Sequence, residues 1–123
     1  MGYRSHVVLA IAEPLVPQFM VTMAKCPEAR ALCFGDTDRQ ERDFQGEKGS
    51  LFFEWDSIKW YDSYEPIRAI QDFMDWACDK HKIGDEEIDG EEHYRFVRIG
   101  EEYDDIETQG WGFEIHPVRS IEY

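Results

Sequence analysis

Apolar and polar side chains alternate at the start of the chain in a pattern that predicts a β-strand over residues 3–12. The second half of this segment is apolar on both faces, which is typical of a central strand that is covered on both sides. We therefore expect this strand to lie in the middle of a sheet.

A second strand is predicted over residues 51–60, the most aromatic part of the chain. The apolar side chains of its first half share one face, whereas those of its second half fall on the opposite face. One extra residue at Asp56-Ser57 returns all of them to a single side. The pattern therefore predicts a β-bulge at that point.

Helical spacing of apolar residues predicts two helices. The first begins at Glu13-Pro14 and ends at or just before Pro27. The second follows a turn over residues 61–66, has Ser63 as its N-cap and runs to about Lys82. Its apolar face consists of Ile67, Ile70, Phe73, Met74 and Ala77.

The segment between the first helix and the aromatic strand gives weaker signals. Residues 31–34 fit either a short strand or a helical turn. Residues 41–45 fit a strand that forms a hairpin with residues 51–60, because a turn with two glycines separates them.

The last third of the chain is predicted to contain two strands, over residues 94–99 and from residue 111 to about residue 121. The connections over residues 85–92 and 100–109 are acidic loops. The complete order of strand, helix, hairpin, helix and hairpin predicts one α+β domain over residues 1–123. We expect a mainly antiparallel sheet of four to five strands with two helices packed on one face.

Composition narrows the classes of function. The 123 residues include 27 Asp plus Glu and 13 Lys plus Arg, which gives a net charge of −14. Because nucleic acids and anionic lipid surfaces are polyanions, this charge argues against direct binding to either. At 42% apolar and 15% aromatic, the chain is too hydrophobic for a disordered acidic tail. No run approaches the roughly 18 apolar residues of a membrane helix.

The acidic residues are concentrated in the second part of the chain. Residues 1–35 are nearly neutral, whereas residues 85–107 contain eleven acidic residues and two arginines. The second predicted helix adds Asp72, Asp75 and Asp79 along one side. Together these groups form one strongly negative surface if they lie on a common flank. Three interpretations stay open: a charge that only solubilises the protein, imitation of a nucleic acid, and a cation site.

No catalytic motif is found. The sequence has no Ser-His-Asp arrangement, nucleophile elbow or phosphate-binding loop. The carboxylates of residues 101–107 lack the spacing of an EF-hand loop, and Cys78 with His81 supplies only two metal ligands. Three cysteines without CxxC spacing indicate reduced thiols in a cytosolic protein. We therefore expect no catalytic residue, no metal and no cofactor; a metal-dependent enzyme that uses the Asp/Glu cluster is the remaining alternative.

Three segments resemble a group of small acidic proteins encoded by tailed bacteriophages. They are GYRS at residues 2–5, KWYDSY at residues 59–64 and FVRIGEEYDDIE at residues 96–107. The resemblance covers most of the chain in the same order. That group has no assigned activity, so the resemblance carries over no catalytic or binding residue. It implies a phage origin and action in the host bacterial cytoplasm.

The leading hypothesis is a non-enzymatic protein that inhibits or modulates a host protein with a basic surface, such as a nucleic-acid-handling or defence protein. It would bind neither nucleic acid nor membrane directly, and formation of a homodimer stays open. The alternative is a small interaction or assembly protein whose acidity serves solubility only. The expected stand-ins for phosphate are Asp72, Asp75, Asp79, Glu101, Glu102, Asp104, Asp105 and Glu107. The expected aromatic anchors beside them are Tyr61, Tyr64 and Tyr103.

Overall fold

The computed structural model describes residues 2–83, 86–117 and 121–122. The α-helices are α1 (Val16–Lys25), α2 (Pro27–Phe34) and α3 (Glu65–Ala77). The strands are β1 (Ser5–Ile11), β2 (Arg39–Arg42), β3 (Leu51–Ile58), β4 (Lys80–Ile83), β5 (Glu86–Asp89), β6 (Tyr94–Ile99), β7 (Ile106–Gly110), β8 (His116–Pro117) and β9 (Ile121–Glu122). This is an α+β fold, as the sequence predicts.

Five strands form an antiparallel sheet in the spatial order β2-β3-β1-β6-β7. The central position of β1 is confirmed, since residues 7–11 are fully buried. β1 begins where β3 and β6 end, because Ser5 pairs with Ile58 and His6 pairs with Ile99. We call this the Ser5 end of the sheet, and the opposite end, where Ile11 lies, the Ile11 end.

The predicted bulge in the aromatic strand is confirmed. Ser5 pairs with Ile58 and Val7 pairs with Trp55, so β3 contains one more residue than β1 between these two pairs. The extra residue falls at positions 56–57. It allows Ile58 to pack against the same core as Trp55, which regular alternation forbids.

Three helices, rather than the two predicted, pack on one face of the sheet. The first helix ends at Lys25, just before Pro27, as predicted, but Pro27 then lies in the first turn of a further helix, α2, where a missing N–H is tolerated. Residues 31–34 therefore belong to a helix. The helices bury Phe19, Met23, Ala29, Cys33, Ile67, Ile70, Phe73, Met74 and Ala77 against β1, β3 and β6.

The third helix is shorter than predicted. α3 ends at Ala77 instead of about Lys82, because β4 follows and pairs with β5 in place of further helical turns. The segment predicted as an acidic loop thus contains β5 and a 3₁₀ turn over Gly90–His93. Tyr64 precedes α3 and no side chain caps the helix, so the prediction of Ser63 as the cap is wrong.

The other face of the sheet, which we call the outer face, carries a second core. Phe44 stacks on Phe52 with ring centroids 4.1 Å apart, and Phe113 lies 5.8 Å from Phe44. Ile115 is also buried there. This face is covered by connecting segments rather than by helices, which explains the near-continuous apolar sequence of β1.

Two predictions for the chain after residue 99 are corrected. The predicted connection over residues 100–109 contains β7, which forms one edge of the sheet. Residues 111–115 form no strand and instead place two side chains on the outer face. Residues 118–120 of the predicted last strand lie outside the described part of the chain. Among the described residues, no helix is long and apolar enough to span a bilayer.

Candidate functional site

The connection between β6 and β7 is an acidic turn over residues 100–105, which we call the acidic turn. Its ends are joined by a backbone hydrogen bond of 2.8 Å from the Gly100 amide to the Asp105 carbonyl. The side chains at its tip are all exposed, and Tyr103 is exposed by 80%. They are Glu101, Glu102, Tyr103 and Asp104. The acidic turn therefore presents three carboxylates around one aromatic ring.

Arg98, on β6, holds the base of the acidic turn. Its guanidinium donates to the two carboxylate oxygens of Asp105 at 2.8 and 3.1 Å, and to Glu107 at 3.1 Å. It also donates to the hydroxyl of Ser5 at 3.1 Å. Since paired hydrogen bonds between a guanidinium and a carboxylate fix both groups in one plane, this contact gives the turn a defined orientation.

Tyr3 connects the N-terminal segment to the same turn. Its phenol donates to Oδ2 of Asp105 at 2.6 Å and accepts from the Glu102 amide at 3.0 Å. The hydrogen bonds from Arg98 and, secondarily, from Tyr3 hold the pKa of Asp105 below its usual value. The hydrogen bond to Asp105 in turn raises the pKa of Tyr3. The network is therefore built for an ionised carboxylate and a neutral phenol.

We call the hydrogen-bond network of Arg98 and Tyr3 the Arg98 framework. Two of the predicted stand-ins for phosphate belong to it. Asp105 and Glu107 share the guanidinium of Arg98, so much of their charge is offset locally. Both are half-buried, whereas the other three predicted acids of this region are exposed. The structure thus separates carboxylates that position the turn from carboxylates at its tip, which are Glu101, Glu102 and Asp104.

The predicted helical row of acids lies elsewhere. Asp72 and Asp75 are exposed on α3, and Asp79 is exposed just after its end. The carbonyl of Asp79 accepts a hydrogen bond from the amide of Gly90 at the Ile11 end. The acidic turn follows β6 at the Ser5 end, and six strand residues span roughly 20 Å. The row therefore leads away from the acidic turn, toward the Ile11 end of the sheet.

The two other predicted tyrosines lie at the Ser5 end. The rings of Tyr61 and Tyr64 contact one another with centroids 5.1 Å apart, and Tyr64 is exposed by 43%. Gly2 lies so close to Tyr61 that an added Cβ would be 2.7 Å from its hydroxyl. Because Gly2 precedes Tyr3, both rings lie at the end of the sheet that bears the acidic turn.

A cluster that the sequence did not predict lies on the outer face at the Ser5 end. Nε2 of His6 on β1 lies 2.6 Å from Oε2 of Glu54 and 3.8 Å from Oδ1 of Asp56, both on β3. Among the described residues, these three are the one group of potential metal ligands whose atoms all lie within 4.8 Å of one another. We call it the His6 cluster.

Sequence reasoning missed the His6 cluster because its members are separated by 48 residues and meet only through strand pairing. A signal was nevertheless present. Glu54 interrupts the run LFFEW, and His6 falls on the face of β1 opposite Val7. A carboxylate inside an aromatic strand needs a polar partner, and His6 lies on the same face of the neighbouring strand, two residues from Val8, which pairs with Glu54.

Among the described residues, no cysteine belongs to a group of three or more potential metal ligands. All three are free thiols, and Cys33 is fully buried. Burial, followed by the carboxylates of Asp79 and Glu91, raises the pKa of the Cys78 thiol. A raised pKa disfavours the reactive thiolate. Cys78 ends α3, and His81 belongs to β4, so the helical spacing on which their pairing rested does not exist.

Comparison with known proteins found no matching family model, no matching curated protein and no matching solved structure. The resemblance to phage proteins therefore stays a prediction from the sequence.

Proposed function

We propose that the protein is a non-enzymatic, phage-encoded binding protein that docks a basic, nucleic-acid-binding surface of a host protein through the acidic turn. The observation that carries this proposal is the arrangement of the turn itself. Three exposed carboxylates and the exposed ring of Tyr103 share the tip of one turn, and the hydrogen bonds of Arg98 hold the base of that turn. Exposed aromatic rings are frequent anchors of protein interfaces, and acidic groups steer a basic partner toward them.

The framework matters because a rigid surface loses less entropy when it binds. A flexible acidic loop serves solubility equally well, so solubility gives no reason for Arg98 and Tyr3 to hold the turn from two sides. The overall charge of −14 adds a long-range attraction for basic partners and repels nucleic acid itself. These features favour a directed surface over a general coat of charge.

The proposal is tested by neutralising three charges at the turn and, in a control variant, the same number of charges elsewhere, so that both variants have the same net charge. One variant carries Glu101→Gln, Glu102→Gln and Asp104→Asn. Its matched control carries Glu28→Gln, Glu47→Gln and Glu114→Gln, three exposed acids outside the turn. Proteins retained from a bacterial lysate by the parent chain are identified, and binding of the purified partner is then measured with each variant.

We expect the turn variant to weaken binding at least tenfold, while the control stays within about twofold of the parent chain. Duplex DNA should compete with the protein for the partner, and affinity should fall steeply as salt rises. Equal weakening by both variants would mean that only total charge matters. Binding that DNA does not affect would exclude imitation of nucleic acid.

A further inference from the structure

We propose that the His6 cluster is a binding site for a divalent transition-metal ion, with Zn²⁺ as the best match. The ligand atoms are Nε2 of His6, Oε2 of Glu54 and Oδ1 of Asp56, all within 4.8 Å of one another. Imidazole combined with carboxylates suits Zn²⁺ and its neighbours in the first transition series, whereas Ca²⁺ and Mg²⁺ prefer sites built from oxygen alone. This inference does not rest on the proposed function.

The strand pairing brings the three ligands together. Glu54 and Asp56 are two residues apart on β3 and therefore share the outer face. His6 lies between the pairs Ser5–Ile58 and Val7–Trp55, directly opposite the β-bulge. Because a bulge sets two residues against one, Asp56 and Ser57 both lie opposite His6, and Glu54 lies opposite the next outer-face residue of β1, Val8. The bulge that aligns the apolar core thus also assembles this polar cluster.

The distances agree with a small cation after minor side-chain rotation. Ligand atoms about 2.1 Å from a tetrahedral Zn²⁺ are about 3.3 Å from one another. The separation of His6 from Glu54 is shorter than this, at 2.6 Å, and its separation from Asp56 is longer, at 3.8 Å. A bound ion would replace the hydrogen bond between the first pair and draw the second pair closer.

The three ligands differ in their exposure in a way that suits metal binding. The Glu54 side chain is only 10% exposed, which gives the site a fixed anchor, whereas the Asp56 side chain is 71% exposed and can move toward an ion. An open groove of about 280 Å³ borders His6 and Asp56 and is also lined by Arg4 and Glu101. Water in this groove can complete the coordination shell of the ion.

The surrounding charges orient the ligands and favour a cation. A guanidinium nitrogen of Arg39 lies 3.8 Å from Oε1, the other carboxylate oxygen of Glu54, and so holds that carboxylate in place. Arg39 is itself paired with Glu41. Asp38 accepts a hydrogen bond from the Asp56 amide at 2.7 Å, which adds a further carboxylate near the site. With Glu54, Asp56 and Glu101, the acidic groups near the site outnumber its two arginines, Arg39 and Arg4.

The test is calorimetric titration of the full chain with ZnCl₂, with CaCl₂ and MgCl₂ as separate arms. We expect one Zn²⁺ per chain, together with no heat above dilution for Ca²⁺ or Mg²⁺. Asp56→Asn, at an exposed position that preserves the fold, should weaken Zn²⁺ binding at least tenfold, and His6→Gln should abolish it. The matched controls are His116→Gln and Asp72→Asn, both at exposed positions outside the cluster.

A Co²⁺ titration provides a second readout, because tetrahedral Co²⁺ bound to nitrogen and oxygen ligands absorbs visible light far more strongly than the hydrated ion. We expect this absorption in the parent chain and its loss in Asp56→Asn. Unchanged Zn²⁺ affinity in Asp56→Asn, or equal weakening by the two control variants, overturns the proposal. Those results would mean that zinc binds as an adventitious ion only and that His6 and Glu54 form a structural pair.

Discussion

The phenol of Tyr3 donates a hydrogen bond of 2.6 Å to the carboxylate of Asp105, a residue 102 positions later in the sequence. The same carboxylate receives two hydrogen bonds from Arg98 on the neighbouring strand. One half-buried side chain thereby joins the N-terminal segment, β6 and the acidic turn. The conformation of the acidic turn thus depends on contacts far outside it.

Asp105→Asn should loosen the acidic turn. An amide cannot accept the paired bonds of the Arg98 guanidinium in the same way, and the charge that strengthens them is lost. Because the Asp105 side chain is 31% exposed, we expect a loss of about 1–2 kcal/mol in the free energy of unfolding. The measurements are urea unfolding and hydrogen exchange at the amides of Gly100 and Glu102, which both should exchange faster.

Asp104→Asn is the matched control for that change. It removes the same charge from the adjacent, exposed position and should alter the free energy of unfolding by less than about 0.5 kcal/mol. Similar losses in both variants would show that net charge, rather than the network, determines stability here.

The hydrogen bond between Tyr3 and Asp105 predicts that the protein loses stability at both acidic and alkaline pH. The lowered pKa of Asp105 means that its contribution is complete above the unfolded-state value of about 4 and is lost as the pH falls through the folded-state value. The raised pKa of Tyr3 means that its contribution is complete below about pH 10 and is lost as the pH rises through the folded-state value.

Melting temperatures across the pH range check both limits. We expect Asp105→Asn to flatten the acid side of the profile and Tyr3→Phe to flatten the alkaline side, because a phenolate would face a carboxylate. A Tyr3→Phe profile that runs parallel to that of the parent chain above about pH 10 would contradict the second expectation.

The strands were predictable from the sequence wherever local patterning carries the information. Alternation located β1, β3 and β6, and a break in alternation located the bulge at Asp56-Ser57. The end of the first helix before Pro27 was predicted correctly, but α2 was missed because proline, which disfavours a helix before it, also fits the first turn of a helix after it. The end of α3 was misjudged because basic residues after a helix suit its C-terminus, whereas here the segment forms strand β4, which pairs with β5.

The candidate sites were less predictable because both depend on contacts between distant residues. Composition singled out the carboxylates at the turn, but only the fold distinguishes Asp105 and Glu107, which bind Arg98, from the exposed acids beside them. Asp79 was predicted to share a surface with these acids, but it lies at the Ile11 end of the sheet, whereas the acidic turn lies at the Ser5 end. The His6 cluster required the register of β1 against β3, which no local pattern contains.

Phe44→Ala should reveal the second core on the outer face. Phe44 lies in a connecting segment, but it is only 5% exposed and stacks on Phe52. Truncation of a buried phenylalanine costs about 3 kcal/mol, through lost burial and the cavity that remains. Urea unfolding should show that loss for Phe44→Ala and little change for Tyr103→Ala, whose ring is 80% exposed. Little change in both variants would mean that this core contributes little to stability.

Gly90→Ala should disrupt the junction between α3 and β6 by steric overlap. A Cβ at position 90 would lie 1.6 Å from the carbonyl oxygen of Ala77 and 2.8 Å from that of Asp79, and both are backbone atoms that cannot rotate away. The hydrogen bond of 3.0 Å from the Gly90 amide to the Asp79 carbonyl fixes this close approach. The end of α3 must therefore move, and we expect a loss of about 3 kcal/mol or more.

Gly46→Ala separates this steric effect from the ordinary cost of replacing a glycine. Gly46 has a φ of +80° and no heavy atom within 4 Å of an added Cβ, so its replacement strains only the local backbone. That strain should cost about 1–2 kcal/mol. Urea unfolding of both variants measures the difference directly. If Gly90→Ala lost no more stability than Gly46→Ala, the contact between Gly90 and the end of α3 would not be the tight junction that the structure describes, and the acids of α3 would be free to shift relative to the sheet.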